Sequence, residues 1–190
     1  MRLPLNIFEP RYLTMLDDAL KSARMIGMIQ PAMGAEGHSP EIYPIGCAAR
    51  ITQFGETEDG RYLITLTGIC RFRVGAEAKA MTPYRFVHPD YREFEDDLYE
   101  AEPIGIDRER LGTALNLYLK GQNFEADMSL VARAPEEMLI NSLAMICPFS
   151  VSEKQALLEA PTLADRASTL LMLLEMAVAA RDSGGSHSLQ

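Results

Sequence analysis

The residues of this chain best suited to bind a ligand are arginines on a predicted strand. Arg71 and Arg73 alternate with apolar residues from Cys70 to Val74, which is the period of a half-buried strand. The apolar side chains then face a core and both guanidinium groups face the other side, with Arg50 nearby. Such a small basic patch could bind a peptide carboxylate or another anionic ligand. The alternative is a solvated sheet face without a ligand.

Methionine supplies a second candidate surface, because the chain contains 11 of these residues. An unbranched thioether side chain adapts to irregular partners, so methionines can line an apolar groove that accepts unrelated peptides. Ordinary core filling is the alternative. The predicted peptide-binding residues, from both patterns together, are Met25, Met28, Met33, Met81, Arg50, Arg71 and Arg73.

No residue pattern predicts catalysis, a metal or a cofactor. The three cysteines lie far apart, without the CxxC spacing of a zinc site, and the three histidines are scattered. Asp17 and Asp18 are adjacent on a predicted helix, so they face different directions and make a poor acid–base pair. The sequence contains no GxxxxGK[ST] phosphate loop. The sequence therefore predicts no catalytic residues, no metal site and no cofactor.

Composition predicts a globular chain without a nucleic-acid or membrane partner. Its 190 residues carry a net charge of −9, divided unevenly: residues 1–92 hold 11 Lys+Arg against 10 Asp+Glu, and residues 93–190 hold 7 against 17. A nucleic-acid-binding protein usually presents a basic face. The net negative charge of the whole chain opposes binding to nucleic-acid phosphates. No apolar run is long enough for a membrane helix and no secretory signal is visible, so the expected location is the cytoplasm.

The first half of the chain reads as one helix among short strands. Leu3 to Ile7 is an extended apolar segment, and Pro10 suits the first turn of a helix that continues over residues 12–23. Strand signals follow, separated by turn residues. The predicted strands are 25–29, 45–54, a pair at 62–67 and 69–74 around Gly68, and 84–87. This pattern predicts a small α+β domain over residues 1–92.

The second half reads as helical. Residues 93–102 hold six acids in ten positions and predict an acidic linker or solvated edge, extending over residues 93–106. Apolar stripes then predict a helical bundle over residues 107–182, with Ser150 and Glu153 as a capping box. Residues 183–190 are rich in Gly and Ser, and we expect a disordered tail.

The string P-L-x-I-F-E-P-R-Y, at residues 4–12, resembles the signature of the Lon-protease N-terminal domain family. Residues 26–31, 44–48 and 63–72 follow in the order and spacing that this family shows, and the helical half is similar to that of stand-alone bacterial members. The resemblance covers nearly the whole chain. It implies a PUA-like β pseudo-barrel with one helix, followed by a C-terminal helical bundle.

In full Lon proteases this domain helps recognise unfolded or tagged substrates, and the ATPase and peptidase domains lie elsewhere. The resemblance thus implies a non-catalytic module that binds unfolded or exposed apolar peptides, as an adaptor or chaperone-like factor in protein quality control. A small-ligand binder or an unrecognised enzyme using the barrel mouth is the alternative. A nucleic-acid role rests only on fold analogy.

Family members usually have a strand and a turn ahead of this motif, whereas only three residues precede Pro4 here. We therefore expect the barrel to lack its first strand and to expose an unpaired sheet edge. Exposed edges favour self-association through strand pairing.

Overall fold

The computed structural model describes residues 2–32, 34, 40–122 and 128–185. The chain divides into two compact units, Met1–Glu100 and Ala101–Gln190. The first is built on an antiparallel sheet and the second on helices, so the α+β prediction is confirmed. Met33 and residues 35–39 lie outside the described residues.

In its described residues, the first unit contains five strands, one α-helix and one 3₁₀ helix. They are β1 (Arg2–Ile7), α1 (Pro10–Leu20), β2 (Met25–Met28), β3 (Ile45–Glu56), β4 (Tyr62–Glu77), β5 (Val87–Asp90) and a 3₁₀ helix (Arg92–Leu98). Pro10 occupies the start of α1, where its missing N–H costs no hydrogen bond. The carbonyl of Glu9 accepts hydrogen bonds from the N–H groups of Tyr12 and Leu13, at 2.9 and 3.0 Å.

The sheet is organised around β4, which pairs with three strands. The order is β1-β4-β3-β2, and β5 pairs with β4 beyond the end of β1. All pairings are antiparallel. Within the described ranges the path runs from β1 to β2 without closing into a ring. β1 and β2 are therefore the two edges of this part of the sheet.

One face of the sheet, here called the inner face, carries α1. Leu16 and Ala19 of the helix form a core with Ala49, Ile51, Ile64 and Leu66 of β3 and β4, all of them buried. Leu3, Leu5 and Ile7 of β1 border this core and are half-buried. The residues that alternate with these point to the opposite, outer face.

Three predictions for the first unit are wrong. The expected strand pair around Gly68 is one continuous strand, because an irregularity in register beside Gly68 keeps β4 paired with β3. The strand expected at 84–87 begins at Val87 and includes Pro89. The expected linker residues 93–98 belong to the 3₁₀ helix, whose Phe94 is buried, and the first unit extends to Glu100 rather than residue 92.

The second unit contains five helices in the described part of the chain. These are α2 (Arg108–Gly121), α3 (Met128–Arg133), α4 (Glu136–Ile146), α5 (Val151–Glu159) and α6 (Leu163–Gly185). Their buried residues form one apolar cluster, which includes Leu115, Ile140, Leu157, Leu170 and Leu174. The predicted bundle is thus present, although its second helix along the chain, α3, was not expected from the sequence.

Side-chain caps explain where several of these helices begin. Asp107 accepts the N–H of Arg110 at the start of α2, at 2.9 Å. Ser150 and Glu153 form the predicted capping box of α5. At the other end of the unit, α6 continues through residues 183–185, where disorder was expected. Residues 186–190, the rest of the predicted tail, lie outside the described residues.

Candidate polypeptide-binding surface

Arg71 does not lie on a solvated sheet face, and that interpretation is wrong. The residue is only 6% exposed. Its Nε and Nη2 groups donate to the two carboxylate oxygens of Asp97, each at 2.8 Å, and the guanidinium stacks on Phe94 at 4.6 Å from the ring centre. The 3₁₀ helix thus covers the position where the sequence predicted an open basic patch.

Asp97 also completes the edge of β4. β1 pairs with β4 up to Thr67, and β5 pairs with it from Arg73 onward. Between these strands the backbone N–H of Arg71 donates to Asp97, at 2.9 Å. One carboxylate therefore accepts a hydrogen bond from the β4 backbone between β1 and β5 and neutralises a buried guanidinium, which is a structural role.

Arg73 and Arg50 remain exposed, but they do not form one patch with Arg71. Arg73 is paired with Glu93 of the 3₁₀ helix. Arg50 lies on the outer face of β3, in register with Thr67 on one side and Met25 on the other. Arg2 of β1 is also in register with Thr67. A row across four strands thus runs Arg2, Thr67, Arg50, Met25.

The four candidate methionines are not brought together. Met25 lies on the outer face of β2, beside Arg50. Met28 is three positions further along the same strand and so points to the opposite face. Met81 is fully exposed outside the sheet, and Met33 lies outside the described residues. A groove formed jointly by Met25, Met28 and Met81 is not present.

The edge strand β1 offers a different binding surface. Its inner-face side chains Leu3, Leu5 and Ile7 are only half-buried. The corresponding residues one strand further in, Ile64 and Leu66, are buried at 3% and 1% exposure. The difference arises because β4 has neighbours on both sides, whereas no strand among the described residues covers the second edge of β1. Among the residues that the structure describes, that edge therefore combines backbone groups without a partner strand with a partly uncovered apolar row.

Exposed apolar side chains continue this surface at the end of β1. Phe8, which directly follows the strand, is 63% exposed. Leu63 of β4, in register with Asn6, is also exposed but lies on the opposite, outer face. Phe54 of β3 is also exposed and packs edge-on against Tyr62, with 4.9 Å between ring centres. A partner strand along β1 would end beside Phe8.

The thiols show no sign of activation. Burial raises the pKa of Cys47 and Cys70, and it raises that of Cys147 to about 11. Such thiols stay protonated at neutral pH and are poor nucleophiles and metal ligands. Among the described residues, no group of three or more His, Cys, Asp or Glu side chains could hold a metal ion.

An open groove of about 510 Å³ lies in the helical unit, between α2 and α6. Leu117 and Val178 line its apolar part. Arg110 and Glu175 form an ion pair in its wall, at 2.8 Å. This pairing raises the pKa of Arg110 and lowers that of Glu175.

In the part of the chain that the structure describes, no helix is long and apolar enough to cross a membrane.

An antiparallel sheet with one packed helix, followed by a helical unit, defines a class of α+β domains that includes the amino-terminal domains of Lon proteases. One such domain, from the Mycobacterium avium complex Lon protease, superposes with a TM-score of 0.65 at 17% identity, covering 92% of this chain and 90% of that one. The Lon N-terminal domain protein from Xanthomonas campestris gives 0.59 at 21%, covering 90% and 89%. These likenesses establish the fold.

Residues 1–176 match the family model of the ATP-dependent protease La (LON) substrate-binding domain, and the chain belongs to this family. It is 25% identical to Lon protease 2 of Myxococcus xanthus over 177 residues. It is 24% identical to the Lon protease of Anaeromyxobacter dehalogenans (strain 2CP-C) over 178 residues. Each match covers 90% of this chain but 21% of the relative. The matched part of Lon is the substrate-binding module, not its ATPase or peptidase part.

Sequence reasoning missed Arg2 and Asp97. The acidic run predicts only a linker or solvated edge at Asp97, and nothing in the sequence pairs this residue with Arg71, which lies on another element. Arg2 joins the row with Arg50 only through the register of β1 with β4 and of β4 with β3. That register follows from long-range pairing and has no local signature.

Proposed function

We propose that this chain is a non-catalytic module that binds exposed, extended segments of unfolded polypeptides, taking them up as an added strand along the free edge of β1. The observation that carries this proposal is the half-buried row of Leu3, Leu5 and Ile7 beside that edge. Added strands bind through main-chain hydrogen bonds, so clients of unrelated sequence can use the same edge.

The proposed cellular role follows from this mode of binding. A module that holds unfolded segments and passes them on acts as an adaptor or chaperone-like factor in protein quality control, and we place that role in the cytoplasm. Membership of the LON substrate-binding family supports protein clients as the partner class. The absence of a nucleic-acid partner, of a membrane partner and of cofactors stays a prediction.

Hydrogen exchange tests the proposal directly. In the free protein, the β1 amides that do not donate to β4 should exchange quickly with solvent. Addition of an unfolded model peptide should protect those amides, because the peptide backbone accepts their hydrogen bonds. The measurement is exchange followed by NMR over Arg2–Ile7, with the amides of β2 as the internal control for the opposite edge.

Three results would contradict the proposal. Protection confined to β2 would assign the client to the other edge, beside Met25 and Met28. Protection confined to α2 and α6 would assign it to the groove of the helical unit. Light scattering of the protein alone tests the competing occupant, a second copy paired through β1. A stable dimer whose β1 amides are already protected would contradict a free edge.

A further inference from the structure

The free edge of β1 has two chemically different sides. Leu3, Leu5 and Ile7 point to the inner face, and Arg2, Pro4 and Asn6 point to the outer face. A strand added along β1 must continue this alternation, because its side chains line up with those of the edge strand. The edge therefore selects its partner by pattern as well as by backbone pairing.

Arg2 differs from most arginines of the first unit in having no ion-pair partner. Within the described residues, Arg2, Arg24 and Arg50 form no ion pair. Each of the others is paired with a carboxylate: Arg11 with Glu9, Arg61 with Asp59, Arg71 with Asp97, Arg73 with Glu93, Arg85 with Glu77, and Arg92 with Asp90. Two of the three unpaired arginines lie in one row of the sheet.

Among the described residues, the paired positions around that row carry no carboxylate on the outer face. Arg2 and Arg50 are two strands apart, about 10 Å, with Thr67 between them. The hydroxyls of Thr67 and Thr52 lie 3.1 Å apart and are hydrogen-bonded to each other. Among the described residues, the register places no Asp or Glu on the outer face where β1, β4 and β3 pair side by side. Among the described residues, two cations thus lie on this face without an ion pair, in a chain of net charge −9.

We infer that the preferred client segment alternates apolar and polar residues and carries an acidic residue opposite Arg2. This inference rests on the proposed function, because it specifies which segment the β1 edge takes. The apolar residues of the client cover Leu3, Leu5 and Ile7 on the inner face. Its carboxylate lies beside Arg2 on the outer face, where directly opposed side chains are about 4.5–5.5 Å apart at Cβ.

Charge complementarity alone would also fit a nucleic-acid phosphate, but the positions beside Arg2 and Arg50 lack the other feature of such sites. Single-stranded nucleic acids bind through aromatic side chains on which the bases stack. Among the described residues, the register places no aromatic side chain on the outer face beside Arg2 and Arg50. Phe54 and Tyr62 belong to the inner-face positions, in register with Ile64 and Ile7 respectively. An acidic polypeptide is the partner that this face fits.

The test compares three short labelled peptides of equal length with the full chain, by fluorescence anisotropy. The first alternates valine with polar residues and has one central glutamate in a polar position. The second replaces that glutamate with glutamine. The third has the composition of the first with the alternation scrambled. We expect the first to bind about 1.4- to 5-fold more tightly than the second, which is the range for one cross-strand charge pair, and the scrambled peptide to bind most weakly.

The protein variants assign the preference to its residue. Arg2→Gln should abolish the preference for glutamate over glutamine. Arg92→Gln removes an equal charge at an exposed site away from the edge, so the preference should persist there. A preference unchanged in Arg2→Gln overturns the inference, as does equal binding of the first two peptides to the unmodified protein. Tighter binding of a single-stranded DNA oligonucleotide than of the acidic peptide also overturns it.

These outcomes are distinct from failure of the proposed function. If none of the peptides binds, or if the peptides bind without protecting the β1 amides, the strand-addition proposal itself is wrong. If all three bind and protect β1 equally, the edge binds polypeptides and only the inferred selectivity is wrong.

Discussion

Removal of the Asp97 carboxylate should destabilise the first unit far more than removal of an exposed carboxylate. In Asp97→Ala, three donors lose their acceptor: the backbone N–H, Nε and Nη2 of Arg71, at 2.9, 2.8 and 2.8 Å. The guanidinium then remains buried without this compensating charge, since the Arg71 side chain is only 7% exposed.

The expected loss can be worked from this geometry. Breaking a fully buried ion pair by removing one partner costs about 3–5 kcal/mol. The Asp97 side chain is 22% exposed, so water can replace part of the lost interaction. We therefore expect Asp97→Ala to lower the free energy of unfolding of the first unit by about 2–4 kcal/mol. The stacking of Arg71 on Phe94 does not depend on Asp97 and should persist.

Urea denaturation, followed by far-UV circular dichroism and tyrosine fluorescence, measures this loss. Asp90→Ala is the matched control, because its partner Arg92 is 86% exposed and such pairs contribute little to stability. The double variant Arg71→Met, Asp97→Leu should recover much of the stability, since it removes both charges together. An Asp97→Ala variant as stable as the control, or a double variant less stable than Asp97→Ala, would refute the reasoning.

Three further outcomes are expected. Gly46→Ala should lower stability by about 1–3 kcal/mol in thermal denaturation, because its Cβ would lie 2.8 Å from the Met28 carbonyl oxygen, whereas Gly55→Ala, with open space around it, should not. Glu136→Gln should lower the melting temperature of the helical unit at neutral pH. The N–H groups of residues 104–106 hold the Glu136 pKa below 4.5, so this stabilisation is present above pH 4.5 and is lost as pH falls through the lowered pKa; a melting difference that persists in acid would contradict it. A thiol reagent at mildly alkaline pH should react slowly with the native protein and quickly after denaturation, since burial raises the pKa of all three thiols: Cys47, Cys70 and Cys147.

Local features of the fold could be predicted from the sequence because their signals are local. The extended segment before Pro10 and the helix after it follow from backbone restrictions of proline and from apolar periodicity. The capping box at Ser150 and Glu153 is likewise a short-range pattern. The continuity of β4 through Gly68 could not be predicted, because it depends on pairing with β3 across a register irregularity.

The candidate site was harder to predict from the sequence than the local elements, for a related reason. Strand alternation correctly marks Arg71 and Arg73 as neighbours on β4, yet it cannot show which face another element covers. The 3₁₀ helix covers Arg71 and pairs with Arg73, so both side chains have partners supplied from the acidic segment. Of these three arginines, only Arg50 has no ion pair among the described residues, and its alignment with Arg2 across Thr67 follows only from the register.

The position of β1 in the sheet also bears on the order in which the first unit folds and opens. β3 and β4 are joined by a short turn and can pair early, whereas β1 must close the whole loop between Ile7 and Tyr62 before it pairs. It borders the sheet on one side only, so its release should require less free energy than release of β3 or β4. Brief fraying of β1 would uncover the edge of β4 with Ile64 and Leu66, so the apolar surface that this unit exposes would depend on local stability as well as on static shape.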